Sequence, residues 1–355
     1  MRISPLRLAA LALVALAVVL ALRGGPRVSR NAQNVVAASA VAPDFHAPLA
    51  PRLSSLGLFR DVTALEPGST GRRYEVRYPL WSDGAVKERH LFLPPGSSLL
   101  VEQDGRFAFP EGATLSKSFG VEEDGRFRRL ETRVMRRRAA DWEFAVYVWD
   151  EDGQDAVRTN DRPVTLDCRL PDCDEDYVVP GRISCLQCHA SGGVAGFQPF
   201  QLSDAVLDEL AREGALETRH GEIPNREIVG ESPTEIEALG YLAGNCAHCH
   251  NPESSTFVGN ELDLRPHRAK ASLLGRDASR LRTRHVTSLV SPGSPEASVV
   301  FRLFERSLDE GAGTTSRMPP IGNAIVDRRG AELLREWIAG LPPAVVKSDD
   351  ATLSH

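Results

Sequence analysis

Trp142-Glu143-Phe144-Ala145-Val146-Tyr147-Val148-Trp149 decides how the first half of the chain folds. Trp142, Phe144, Val146 and Val148 alternate with Glu143, Ala145, Tyr147 and Trp149. A period of two sends successive side chains to opposite faces, as a half-buried strand requires. Around it, Asp104-Gly105, Asp124-Gly125 and Asp152-Gly153 supply the positive-φ turn chemistry that hairpins favour. Residues 51–180 therefore predict a β-rich domain of mostly antiparallel sheet. Beyond about residue 181 the period becomes helical. Ser203 caps a helix carrying Val206, Leu207 and Leu210, which Gly214 ends. Ser232-Pro233-Thr234-Glu235 is a capping box with Pro at the first helical position. Ser294-Pro295-Glu296 opens a helix with Val299, Val300, Leu303 and Phe304 on one face. Asp327 caps a last helix striped by Leu333, Leu334, Trp337, Ile338 and Leu341.

The composition bounds the rest. A length of 355 residues, 42% hydrophobic, suggests two or three globular domains. The net charge of −6 becomes −9 once Arg2, Arg7 and Arg23 of the leading segment are set aside. Nucleic acid selects basic surfaces, so it is not an expected partner. Only four lysines stand against 38 arginines, which reads as genome composition. Arg2 and Arg7 precede an unbroken apolar run of 15 residues, Leu8 to Leu22. A membrane span wants about 20 such residues, so residues 1–23 read as an export signal, or as an N-terminal anchor if uncleaved. Val19-Leu20-Ala21 fits a cleavage site weakly; Ala38-Ser39-Ala40 fits better but lies far downstream. Residues 24–50 read as a linker, and an inner-membrane tether through the N-terminus stays open.

Four of the six cysteines fall in two copies of Cys-x-x-Cys-His, Cys185-Leu186-Gln187-Cys188-His189 and Cys246-Ala247-His248-Cys249-His250. Two thiols one helical turn apart can bond the two vinyl groups of a haem, and the next His then lies under the iron. The spacing predicts two covalently attached haem c groups, with His189 and His250 as proximal ligands. A zinc ribbon separates its pairs by about 15 to 20 residues, whereas these lie 57 apart. A thioredoxin-like pair explains neither the His after both pairs nor the missing βαβ context. Cys168 and Cys173 remain, and in an oxidising compartment a short-loop disulfide is the expectation.

Arg317-Met318-Pro319-Pro320 follows the second motif. A soft thioether held on a stiff extended segment suits a distal iron ligand, so Met318 is expected opposite His250. The bland alternative is ordinary core filling. For the first haem the sixth ligand is open: His220, His90, Met135, another group or nothing. Arg133, Arg136, Arg137 and Arg138 flank Met135 and read first as a solvated strand face, with propionate neutralisation or an acidic partner as the functional alternative.

Residues 241–341, with the second haem motif, Asn251-Pro252, Leu262-Asp263-Leu264-Arg265, Pro292-Gly293-Ser294-Pro295 and Met318-Pro319-Pro320, resemble a class I cytochrome c domain. Tyr78-Pro79-Leu80-Trp81-Ser82-Asp83-Gly84, Tyr147-Val148-Trp149 and the first haem motif resemble a little-characterised family of exported bacterial dihaem c-type cytochromes. Relatives of that domain also occur attached to quinoprotein sugar dehydrogenase-like propellers. The resemblance spans about 55–341 and implies two covalent haems and electron transfer.

The expected fold class is therefore α+β and multidomain: the antiparallel β-rich domain, then an α-helical cytochrome c-type haem region divided into a first haem c segment, 181–240, and a cytochrome c domain with the second haem, 241–345. The expected function is a periplasmic electron carrier between a redox partner protein, such as a donor dehydrogenase, and the respiratory chain. The alternative is a dihaem peroxidase or oxidase with one open iron position.

Overall fold

A computed structural model describes residues 42–342 apart from 124–125, 140, 170–175, 190–193, 220, 255–261, 279–285, 287, 306–317, 319–321 and 323. Val41–His355 clusters as one compact unit. Its frame is a six-stranded antiparallel sheet built from β1 (Gly71–Arg73), β2 (Val86–Phe92), β3 (Thr114–Glu123), β4 (Arg126–Arg138), β5 (Asp141–Trp149) and β6 (Ala156–Arg158). Spatial order follows chain order, so the sheet is a simple meander. Gly153 takes φ +67° in the turn between β5 and β6, as the Asp-Gly reading requires. A three-stranded sheet of Leu99–Val101, Phe107–Ala108 and Leu216–Thr218 hangs from the β2–β3 connection, with Gly105 at φ +86° in its hairpin turn.

The alternation at 142–149 forms a strand, but not a half-buried one. Tyr147, Ala145 and Trp149 pack with Phe45, Leu53, Leu58 and Phe59 on one face. Trp142 and Phe144 pack with Phe197, Leu207 and Leu210 on the other. Both faces are covered, one by the segment before the sheet and the other by the chain after it. Arg136 and Arg138 fasten the first cover. Buried Arg136 donates to the carbonyls of Asp44 and Ala47, each 2.9 Å away, and to Thr114 Oγ1. Arg138 donates to the His46 carbonyl at 3.0 Å and to Glu143 Oε2. The solvated-face reading of these arginines is thereby corrected.

Among the described residues, six helices follow: α1 (Arg182–His189), α2 (Asp204–Arg212), α3 (Pro233–Asn245), α4 (Pro266–Leu273), α5 (Val299–Phe304) and α6 (Arg328–Gly340). Three caps stand as the sequence implied. Ser203, Ser232 and Asp327 accept from the backbone N–H of Val206, Glu235 and Gly330. The single helix expected from Ser294 is broken instead. A 3₁₀ turn at Pro295–Ala297 precedes α5, with Ser298 extended between them. Its hydroxyl donates to the Ser294 carbonyl and accepts from Ser291 N–H, the backbone competition that makes serine a poor helix-interior residue.

The expectation of an α+β multidomain chain, with a β-rich domain followed by a separate α-helical cytochrome c-type haem region, is corrected. Among the described residues, strand outweighs helix and no helical cytochrome c region stands apart. The physical reason is that the later half borrows its closure from the earlier one. Leu216–Thr218 pairs in parallel with Leu99–Val101. The Tyr78–Asp83 arm lies on α3, where Gly240 and Gly244 leave room: a Cβ at Gly244 would stand 2.5 Å from the Tyr78 carbonyl. Asn245 Oδ1 accepts from Trp81 N–H at 2.7 Å, and Trp81 Nε1 donates to the Ile325 carbonyl at 3.0 Å. Asp83 Oδ1 accepts from Ile325 N–H at 2.9 Å. Among the described residues, no helix is long and apolar enough to cross a membrane. The export segment at 1–23 lies outside them.

Candidate functional site

The first motif rides on α1. Gly181 lets that helix start against the chain before it, since a Cβ there would stand 2.3 Å from the Asp161 carbonyl oxygen. Arg182 clamps the same place with two bonds to Asp161, at 2.8 and 3.0 Å. α1 is thereby set across β5, where the His189 ring lies 5.4 Å from Phe144. Cys185, Cys188 and His189 line one cavity with Leu115, Lys117, Arg133, Met135 and Phe144 of the sheet. The β half thus covers the first motif, as a shield for a large apolar group would.

The second motif leaves the end of α3. Cys246 is its C-cap, and the turn continues through Cys249 N–H and His250 N–H, both donating to the Cys246 carbonyl. The His250 carbonyl accepts from Leu264 N–H at 2.9 Å. Burial first, and His248 second, hold the His250 imidazole below its usual range. A neutral ring is the form that ligates a metal.

The two motifs meet. Cys188 Sγ, a ring nitrogen of His248 and Cys249 Sγ all lie within 4.8 Å of one another. His248 also lines the first motif's cavity. Cys188 and the residues 60 and 61 positions after it therefore share one site, a convergence that the linear spacing did not reveal. A hydrogen bond with Cys249, followed by burial, pushes the Cys188 thiol up to about 12. Burial alone takes Cys246 to about 12, and burial first also raises Cys185. Redox-active dithiols need a thiolate near neutral pH. These shifts run the other way.

The remaining candidates separate. Met135 lies in the first cavity, directly across β4–β5 from Phe144. His90 does not. It sits on the opposite sheet face beside Ser116, edge-on to Phe59 at 5.3 Å. Met318 is 39% exposed and its neighbours in chain lie outside the described residues. His220 and Cys173 also lie outside them, so the Cys168–Cys173 pairing is not described; Cys168 itself is buried.

Lys117 was missed in the sequence reading. The available signal was rarity: Lys87 and Lys117 are two of the chain's four lysines, and both stand on the sheet face toward this cavity.

The donor set fits haem c. Each motif offers two thiols within about one turn and an adjacent imidazole, the first opens on an apolar sheet face, and cations stand at that cavity's wall. Haem c groups held there would supply one-electron chemistry at iron. The chain's own contribution would be to hold the sulfurs and imidazoles in place, exclude water with the sheet and set the charge around them. No family model, curated protein or solved structure matches this chain.

Proposed function

We propose that this chain is an exported dihaem c-type electron carrier of the bacterial family it resembles, working in the periplasm with a redox partner protein. Cys185 and Cys188 would bind the first haem and Cys246 and Cys249 the second, with His189 and His250 as proximal ligands and Met318 distal to the second. The observation that carries this reading is the convergence of Cys188 on His248 and Cys249. Two haems attached through thiols this close would have adjoining edges, and an electron would cross between them without leaving the protein. Electron transfer asks for closely spaced centres shielded from water, and the sheet supplies the shield over the first. The potentials would follow from axial ligand, burial and nearby charge.

A second reading has one observation in its favour. Cys188, His248 and Cys249 are three donors within reach of a single metal ion. A structural zinc site takes four, and this reading leaves Cys185, Cys246 and both proximal histidines without a role. Alkaline pyridine haemochrome analysis with metal analysis on the exported full chain separates the two. The carrier predicts two covalent haems per chain; one zinc and no haem would refute it.

A further inference from the structure

Strand register sorts the sheet face toward α1 into rows. One row is apolar: Leu91, Leu115, Met135 and Phe144 lie directly opposite one another across β2, β3, β4 and β5, and Phe144 is the ring against His189. The next row, two residues along and about 6.5 Å away, reads Arg89, Lys117, Arg133 and Val146. Three cations thus stand side by side on adjacent strands. Like charges directly opposite destabilise a sheet, and here Arg89 is buried while Lys117 and Arg133 are half-buried. Lys87 stands beyond them, opposite Phe119.

Local compensation is incomplete. Arg133 holds Glu131 with bonds of 2.6 and 2.9 Å, and Glu131 also accepts from Tyr177 OH. Lys87 donates to the Ala85 carbonyl. Lys117 Nζ has the face of the Phe119 ring at 5.4 Å, and no carboxylate of the described residues lies within ion-pair distance. Burial, then Arg89, Lys87 and Arg133, drive the Lys117 ammonium well below its usual range. Lys117, Arg133 and Asp83 line the first motif's cavity, so the basic row stands at its wall.

We propose that the Arg89–Lys117–Arg133 row is a dicarboxylate-binding site that takes the two propionates of the first haem, while the neighbouring apolar row takes its macrocycle. The proposal rests on the dihaem reading and adds the haem's orientation: propionate edge toward residues 117 and 133, with the ring against Met135 and Phe144. Propionates there would give Lys117 a carboxylate beside it, which favours its charged form. A positive charge beside a haem also favours the ferrous state, so this row raises the potential of the first haem as well as seating it.

The test is a spectroelectrochemical titration of the full chain as wild type, Lys117→Met and Lys117→Arg, with haem content measured on the same samples. Removing Lys117 relieves repulsion within the row, so the variant is expected to fold. Lys117→Met should move the first haem about tenfold toward the ferric form at fixed potential, 59 mV for one electron. Lys117→Arg should stay near wild type, and the second haem should not move. Two haems with both potentials unchanged in Lys117→Met would overturn the propionate site and leave the carrier standing. A wild-type first haem that shifts equally on adding acetate or inorganic phosphate would mean the row serves an external anion, which also overturns it. Absence of covalent haem would remove the carrier reading and this proposal together.

Discussion

Cys185→Ala with Cys188→Ala should leave one covalent haem per chain, and the haem that remains should be the one at Cys246 and Cys249. The two thiols of α1 are the only covalent attachment the first group would have, so their loss removes it outright. The sheet should survive, because its cores are assembled from Phe45–Trp149 contacts on one face and Trp142–Leu210 contacts on the other. The readouts are pyridine haemochrome for haem content and far-ultraviolet circular dichroism for the fold. Two haems remaining on the folded double variant would overturn the assignment of the first motif.

The second large effect is on stability in acid. His90 is 2% exposed, its Nδ1 is 3.5 Å from Ser116 Oγ, and Phe59 and Phe92 enclose the ring. Burial is the main cause that lowers its pKa from 6.5 to about 4. The unfolded chain therefore takes up a proton before the folded chain does. The contribution is fully present above pH 6.5, and it is lost as pH falls through 6.5 to about 4. Over that window it amounts to about 3 kcal/mol. Urea midpoints at pH 7 and pH 4.5 should diverge in the wild type and draw together in His90→Leu. An equal acid loss in the variant would show that His90 is not its source.

Local structure was legible where a residue's own chemistry decides it. The strand at 142–149, the glycine turns at 105 and 153 and the caps at 203, 232 and 327 follow from side-chain period, positive φ and short-range hydrogen bonds. The helix broken at Ser298 was not, because the hydroxyl there binds backbone that only the folded loop brings near. Fold class was misread for a tertiary reason. Nothing local in Tyr78-Pro79-Leu80-Trp81-Ser82-Asp83 announces that Trp81 will bond Asn245, or that Asp83 will bond Ile325 some 240 positions later. Those bonds join halves that their periods alone would separate.

The site divides the same way. Cys-x-x-Cys-His is a local pattern, so both motifs could be found without coordinates. Their convergence at Cys188, His248 and Cys249 depends on how α1 and α3 are set against the sheet, which no spacing encodes. The cation row is a matter of register: Arg89, Lys117 and Arg133 are far apart in sequence and become neighbours only when β2, β3 and β4 pair. Sequence context had made Arg133 one of four similar arginines. Register separates it from Arg136, which faces the opposite cover.

Adjacency of the two haems is the central claim, and electron paramagnetic resonance of the fully oxidised chain addresses it most directly. Spectra would be compared for the wild type and the Cys185→Ala, Cys188→Ala double variant. Haems whose attachment points lie within 4.8 Å should couple magnetically, so removing the first should change the signal of the second. A wild-type spectrum equal to the sum of two isolated ferric haems, with the remaining signal unchanged in the variant, would contradict the account.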